Sequence, residues 1–391
     1  MGLLAVGGPI RVVVAANFVA VAARMSLVTF LGIYFVHVAG ISLASVGAAF
    51  LLESLLRGTL APVFGALSDR VGRRLLLLVS ALLTAAVLPC FLLVEGPASL
   101  FAWSIALGTV GAVNMPVATA LLLDLAPPDR RQAVLAVNYT GMSVAYTLGV
   151  MPAGYVAEQG YGLLAAIASA GYVIVAALYA AVFRAPARAE HSEENLLVSS
   201  LAVLRNRVFL AFAALAFVFP FAMGQIVTVS PLYAAEQHLG EGYIGLVLGG
   251  NSILVALLAV PVAARIEPGG PFRPLGAAAV IVALALGCYA WIANPAAAYL
   301  VGTVVFSLGE IVFSSSVPAA VARLAPAGRR GAYQGGWTLV ASLAMGSALI
   351  LSGALRDAVG WQYVWTIYAA LVLAGGAGLF TARNFFRAQK A

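Results

Sequence analysis

Gly65-Ala66-Leu67-Ser68-Asp69-Arg70-Val71-Gly72-Arg73-Arg74 stands where one long apolar run, 43–67, gives way to the next, 75–94. It sets four charges close together in a chain whose residues are 63% hydrophobic and only 9% charged. An ordinary soluble domain carries roughly 25% charged residues. So much apolar surface has no place in a soluble fold of 391 residues, because any such fold must present a wet surface. Lipid is the solvent that fits, and the island then marks a turn at the membrane surface.

Working outward from the island, the same alternation repeats along the chain. A helix needs about 20 apolar residues to cross a bilayer, and only helices or closed barrels satisfy their backbone there. The runs are long and continuous, which predicts helices at 11–36, 43–67, 75–94, 98–123, 133–157, 162–183, 208–234, 242–265, 273–293, 297–323, 332–355 and 360–382. The fold class is therefore an all-α integral membrane protein of twelve transmembrane helices. A polar stretch, 184–207, separates a six-helix bundle at 1–183 from a second at 208–391. Within it Leu196 to Leu204 reads as a short interfacial helix and His191 as a solvated side chain.

The basic residues orient the spans. Arg11, Arg70, Arg73, Arg74, Arg130, Arg131, Arg184, Arg188, Arg205, Arg207, Arg265, Arg273, Arg323, Arg329, Arg330, Arg383, Arg387 and Lys390 fall on one side. Only Arg356 falls on the other, and Arg24 and Arg57 lie within spans. This bias predicts both termini in the cytoplasm, in a cell membrane of bacterial inner-membrane type. The net charge of +7 is scattered in short clusters, so nucleic acid is not an expected partner. Cys90 and Cys288 sit in apolar runs and read as packing residues. The first apolar run is too long for a signal-peptide core and reads as a retained span.

The halves echo each other. Leu125-Ala126-Pro127-Pro128-Asp129-Arg130-Arg131 follows span 4, and Leu324-Ala325-Pro326-Ala327-Gly328-Arg329-Arg330 follows span 10. At nearly the same offset Gly47 matches Gly245, Asp69 matches Glu267, and Cys90 matches Cys288. Several matches at one offset point to duplication. Parallel repeats of this kind place the substrate path between the halves, near the bilayer midplane. Cys90 and Cys288 are then expected on opposite flanks.

The island at 65–74 resembles the cytoplasmic loop motif G-x-L-x-D-R-x-G-R-R of the major facilitator superfamily, and the resemblance extends over the whole chain. It implies a secondary transporter of two pseudo-symmetric six-helix bundles working by alternating access. Gly65, Leu67, Asp69, Arg70, Gly72, Arg73 and Arg74 are the motif positions. Gly65 and Gly72 are expected to allow a close helix approach and a tight turn. The resemblance implies that Asp69 meets the N-terminal end of span 11, where partial positive charge favours a carboxylate. The three arginines also serve topology. In the second half only Arg265 and Glu267 remain near the equivalent place.

Four ionisable side chains fall well inside spans: Arg24, Glu53, Arg57 and Glu310. On insertion scales a charge at the bilayer centre costs at least about 2.5–3.5 kcal/mol, so each should face a cavity or a partner. Glu53 and Arg57 are spaced to pair along one helix face. Arg24 and Glu310 have no such neighbour in their own spans. The resemblance implies that spans 1, 4, 7 and 10 line the cavity, so Arg24 and Glu310 would project toward the substrate path. Leu308-Gly309-Glu310-Ile311 is similar to span 10 of proton-coupled drug exporters and oligopeptide transporters, where a glutamate takes part in coupling or binding. The oligopeptide branch carries a glutamate pattern before the span-1 arginine, whereas Val21-Ala22-Ala23 stands here. Burial favours a protonated carboxyl and a nearby guanidinium opposes it, so relative movement of Arg24 and Glu310 would load and unload a proton. A structural Arg24–Glu310 bridge is the plainer alternative.

Span 5 carries Gly141, Gly149, Pro152 and Gly154, in part similar to the glycine-proline motif of drug exporters, with Val150 at the proline place. Asn17, Tyr34, Asn114, Gln225, Thr228, Gln334 and Trp337 are candidates to line the path; each also suits a helix–helix hydrogen bond or packing contact. Asp124 fits either a proton path or a loop anchor. The three histidines, His37, His191 and His238, lie in or near loops, and no nucleotide-binding motif is present. The expectation is therefore a non-enzymatic, monomeric protein without cofactor or metal. Its partners are the bilayer, a small-molecule substrate, and protons or sodium. The leading reading is proton-coupled export of lipophilic drugs or metabolites. Proton-driven import of a peptide, sugar or organic acid, lipid transport, and a non-transporting sensor stay open.

Overall fold

The computed structural model describes residues 7–127, 130–182, 203, 205–266, 271–326 and 329–388. Among these, twelve helices are long and apolar enough to cross a membrane. They are α1 Gly8–Val38, α2 Leu43–Val71, α3 Arg73–Leu93, α4 Pro97–Leu125, α6 Tyr161–Ala181, α7 Arg207–Glu236, α9 Phe272–Trp291, α10 Pro295–Leu324 and α12 Trp361–Thr381, with α5 Arg131–Gln159, α8 Glu241–Ile266 and α11 Arg330–Val359. A short α13, Arg383–Ala388, follows. Apart from Val203, the expected interfacial helix at 196–204 lies outside the described residues, as does His191.

Several helices overrun the apolar runs. One of them is α2, which continues through Ser68-Asp69-Arg70-Val71. The island at 65–74 is therefore mostly the last turns of α2 and the first of α3, joined at Gly72. Helices can extend past the hydrocarbon core because their backbone bonds are internal and only the side chains meet water.

The described residues fall into two compact units. One takes in those within Met1–Ile41, Leu52–Glu193 and Gly240–Gly249; the other, those within Ser42–Leu51, Glu194–Leu239 and Gly250–Ala391. Each unit thus includes the start of one helix from the other half of the sequence. In the first unit the start of α8 lies on α5: a Cβ at Gly245 would come 2.9 Å from the carbonyl oxygen of Val150 and 3.1 Å from that of Met151. In the second unit the start of α2 lies on α11, and a Cβ at Gly47 would come 2.6 Å from the Cα of Ile350. Gly47 and Gly245, the pair matched between the two halves of the sequence, thus both meet the backbone of a neighbouring helix. Pro62 of α2 and Pro261 of α8 sit at almost the same offset, each inside a continuous helix from which it removes one backbone donor.

At Gly47 the obstacle is backbone, which cannot swing aside. Gly47→Val should cost about 1–3 kcal/mol or more by overpacking. Gly58→Ala in the same helix meets nothing within 4 Å among the described residues and should be neutral or slightly stabilising. Unfolding of the two purified variants in detergent tests this; equal stability would mean that α2 does not rest on α11 at Gly47.

Aromatic side chains fill the unit interiors. In the first, Tyr34 stacks edge-on to Phe91 with ring centroids 4.8 Å apart, and Trp103 packs on Phe35 at 5.6 Å. In the second, Trp365 stacks on Tyr289 at 4.9 Å and on Trp361 at 5.7 Å. Glu236 at the end of α7 binds both Arg356 Nη2 and Trp361 Nε1 at 2.7 Å, tying α7 to α11 and α12.

Candidate functional site

The island residues form an anchored cluster. Arg73 Nη2 lies 3.0 Å from Asp69 Oδ1, and its Nη1 lies 2.5 Å from Asp124 Oδ2. One guanidinium therefore holds α2, α3 and α4 together, and Asp124 is a partner of the motif. Arg74 donates to the carbonyl oxygens of Tyr179, at 3.1 Å, and Ala180. These carbonyls belong to the last turn of α6, where the helix dipole favours a cation. Gly72 turns the chain with φ 94, a conformation that favours glycine. Gly65 differs from expectation: nothing among the described residues lies within 4 Å of where its Cβ would be. No close approach at Gly65 is found among the described residues. Leu67 and Arg70 are exposed.

At the middle of the first unit three charges meet. Arg57 is the central residue of α2, and Arg24 is one residue past the centre of α1. Arg24 Nη2 lies 2.6 Å from Glu53 Oε1, with side chains 12% and 10% exposed. Glu53 and Arg57, spaced to pair along one helix, stand 3.8 Å apart. The expected local pair is thus the weaker contact, and Arg24 of the neighbouring helix takes the carboxylate. The approach of α4 makes room for this: a Cβ at Gly108 would fall 2.8 Å from the carbonyl oxygen of Glu53.

A polar network lies deeper in the same unit. Asn17 donates to Asn138 at 2.9 Å, and the Tyr179 hydroxyl donates to the amide oxygens of Asn17 and Asn114 at 3.1 and 3.0 Å. Asn17 and Asn114 are thereby brought together through Tyr179, and Tyr34 sits in the aromatic cluster at the end of α1. Asn138 and Tyr179 were not among the sequence candidates. Asn138 is an amide inside a span, as Asn17 and Asn114 are, which is the signal that could have found it; Tyr179 joins them only through the helix packing.

In the second unit Glu310 stands at the centre of α10 and is 9% exposed. Its Oε2 accepts from Asn251 Nδ2 of α8 at 3.3 Å, and Asn251 Oδ1 in turn accepts from Ser307 at 2.5 Å. No ion pair found among the described residues includes Glu310. A mid-membrane carboxyl held by a neutral amide can carry a proton without breaking a salt bridge. Gln225 is fully buried and accepts from Ser352 at 2.9 Å. Thr228 donates to Gly224 O at 2.7 Å, Gln334 donates to Pro318 O at 2.9 Å, and Trp337 packs on Phe212 at 6.0 Å.

Comparison with known proteins agrees with this architecture. A Na(+), Li(+), K(+)/H(+) antiporter of Planococcus maritimus is 23% identical, over 87% of this chain and 91% of that protein. Multidrug resistance protein MdtG of Dickeya zeae is 26% identical, over 64% of this chain and 62% of that protein. The crystal structure of the nucleoside transporter NupG superposes with a TM-score of 0.83 at 14% identity, covering 96% of this chain and 99% of that one. The family description Major Facilitator Superfamily matches residues 13–312. With twelve membrane-spanning helices and a match over most of its length, the chain belongs to the major facilitator superfamily of membrane transporters.

Proposed function

We propose that this chain is a secondary active transporter that couples export of lipophilic small molecules to inward movement of protons, by alternating access. The observation that carries the reading is Glu310: a carboxyl at the centre of a membrane helix, hydrogen-bonded to Asn251 and in no ion pair among the described residues. Ionisable groups are kept in membrane spans at a cost, and a carboxyl so placed is suited to bind and release a proton. The names of the relatives, a cation/proton antiporter and a multidrug resistance protein, support the direction and the type of cargo. The basic residues favour an arrangement with both termini cytoplasmic, in a bacterial inner membrane. The motif cluster Asp69–Arg73–Asp124 then lies at the cytoplasmic surface, where Asp69 serves as part of the gate.

The test is reconstitution of the purified chain in proteoliposomes with an imposed pH gradient and a panel of amphipathic aromatic compounds. Substrate-dependent proton release, read by a pH-sensitive dye, is the expected result. A panel that moves no protons, with compounds that still cross, would overturn the coupling. Sodium-dependent flux at constant pH would replace the proton with sodium.

A further inference from the structure

The charges at the middle of the first unit do not cancel. Arg24 and Arg57 supply two guanidinium groups and Glu53 supplies one carboxylate. Arg24 takes that carboxylate at 2.6 Å, leaving Arg57 at 3.8 Å, beyond hydrogen-bonding distance. The Arg57 side chain is 40% exposed, and no other ion pair found among the described residues includes it. Arg24 Nε is buried with no hydrogen-bond partner among the described residues. One net positive charge therefore remains at the centre of the spans, where an unpaired charge is costly.

The surroundings keep the two guanidinium groups together without neutralising them. Gly111, the central residue of α4, is their shared neighbour: a Cβ there would lie 3.4 Å from Arg24 Nη1 and 3.8 Å from Arg57 Cδ. The α4 helix is interrupted beside it, ending one segment at Gly111 and beginning the next at Asn114. Tyr172 of α6 is buried and offers a phenol, not a carboxylate.

We infer that Arg57, with Arg24 beside it, receives an acidic group of the transported molecule, so that the cargo is an amphipathic organic anion bearing a carboxylate or sulfonate. A single acid group closes the charge balance. The planar fork of a guanidinium matches a carboxylate by two parallel hydrogen bonds, which an amide or an ammonium group cannot reproduce. A lipid headgroup offers the same chemistry, but it belongs at the membrane surface, whereas Arg57 is at the centre of α2. The inference rests on the transport reading above and narrows its substrate class.

Three probes of one shape separate the possibilities: 2-naphthoate, 2-naphthamide and 2-naphthylmethylammonium. Each is titrated against the purified full chain in neutral detergent, with binding read by calorimetry and by the shift in unfolding temperature. Naphthoate should bind at least about tenfold more tightly than the amide, as expected of hydrogen bonds to a charged group. Arg57→Gln should remove that preference, and Arg57→Lys should keep part of it. Equal binding of the three probes, or tightest binding of the ammonium, overturns the inference on the unmodified protein alone. So does a preference that survives Arg57→Gln. Repeating the titration with added anionic lipid separates the two sources: competition with naphthoate that exceeds its effect on the amide would assign the site to lipid. The proteoliposome measurement keeps the two readings apart. Naphthoate preference without proton flux refutes coupling and leaves the anion site standing; proton flux driven only by the amide or ammonium refutes the anion site alone.

Discussion

Glu310→Gln is expected to abolish substrate-driven proton movement while leaving the protein folded. Glutamine has the size of glutamate, and its amide oxygen can still accept the bond that Asn251 Nδ2 makes at 3.3 Å. The Asn251–Ser307 bond at 2.5 Å does not involve the substituted atom. No ion pair among the described residues is broken by the change. The stability difference should therefore stay within about 1 kcal/mol, the worth of a single neutral hydrogen bond. What disappears is the one oxygen at the centre of α10 that can gain and lose a proton. Proteoliposomes with a pH-sensitive dye should show substrate-induced proton release falling to the level of empty vesicles. Exchange of substrate down its own gradient should persist, because it requires no proton. Wild-type proton release in the variant would remove Glu310 from the coupling role and direct attention to Glu53.

The membrane architecture was legible because it depends on quantities that composition carries. The length of an apolar run, the side on which arginines fall and the near-constant offset between the halves are all linear features. The mid-membrane charges were legible for the same reason, since any ionisable residue in such a run is conspicuous. Their pairing was not. Sequence spacing supports only contacts along one helix, and it pointed to Glu53 with Arg57; the structure gives the closer contact to Arg24, 29 positions away in the chain. Asn251 is a lone amide in an apolar run, as Asn17 and Asn114 are, and sequence does not say which amide meets a charged side chain; only the packing joins Asn251 to Glu310. Charge in the island at 65–74 suggests the end of a helix near Leu67, but α2 runs on to Val71. Leu67, Ser68, Asp69 and Arg70 are compatible with helix, and the turn comes only at Gly72, where φ is 94. Gly65 shows the converse limit: glycine in a motif marks a place where a Cβ is missing, and nothing among the described residues fills that place.

Glu53→Gln should be among the most destabilising single substitutions in the first unit. Arg24 and Glu53 are in contact at 2.6 Å with side chains 12% and 10% exposed, so water can replace little of what the carboxylate supplies. Removing one partner of a buried pair leaves the other charge uncompensated, at a cost of about 3–5 kcal/mol. The penalty is raised here because Arg57 loses its nearest anion at the same stroke, leaving two guanidinium groups beside Gly111 with no carboxylate between them. Arg24→Gln should be milder, since Glu53 keeps Arg57 and that pair is partly open to solvent. The double variant Arg24→Gln/Glu53→Gln should recover much of the loss, because two amides can hydrogen-bond where a charge and an amide cannot balance. The coupling energy from this cycle, measured by denaturant unfolding in mixed micelles, isolates the pair from the rest of the cluster. A loss below about 1 kcal/mol in Glu53→Gln would mean that the pair is as weak as a surface ion pair, and that solvent reaches Arg24. A double variant no better than Glu53→Gln alone would show that Arg57, not Arg24, bears the cost, and the charge left over at the centre of α2 would then be the dominant electrostatic fact of this unit.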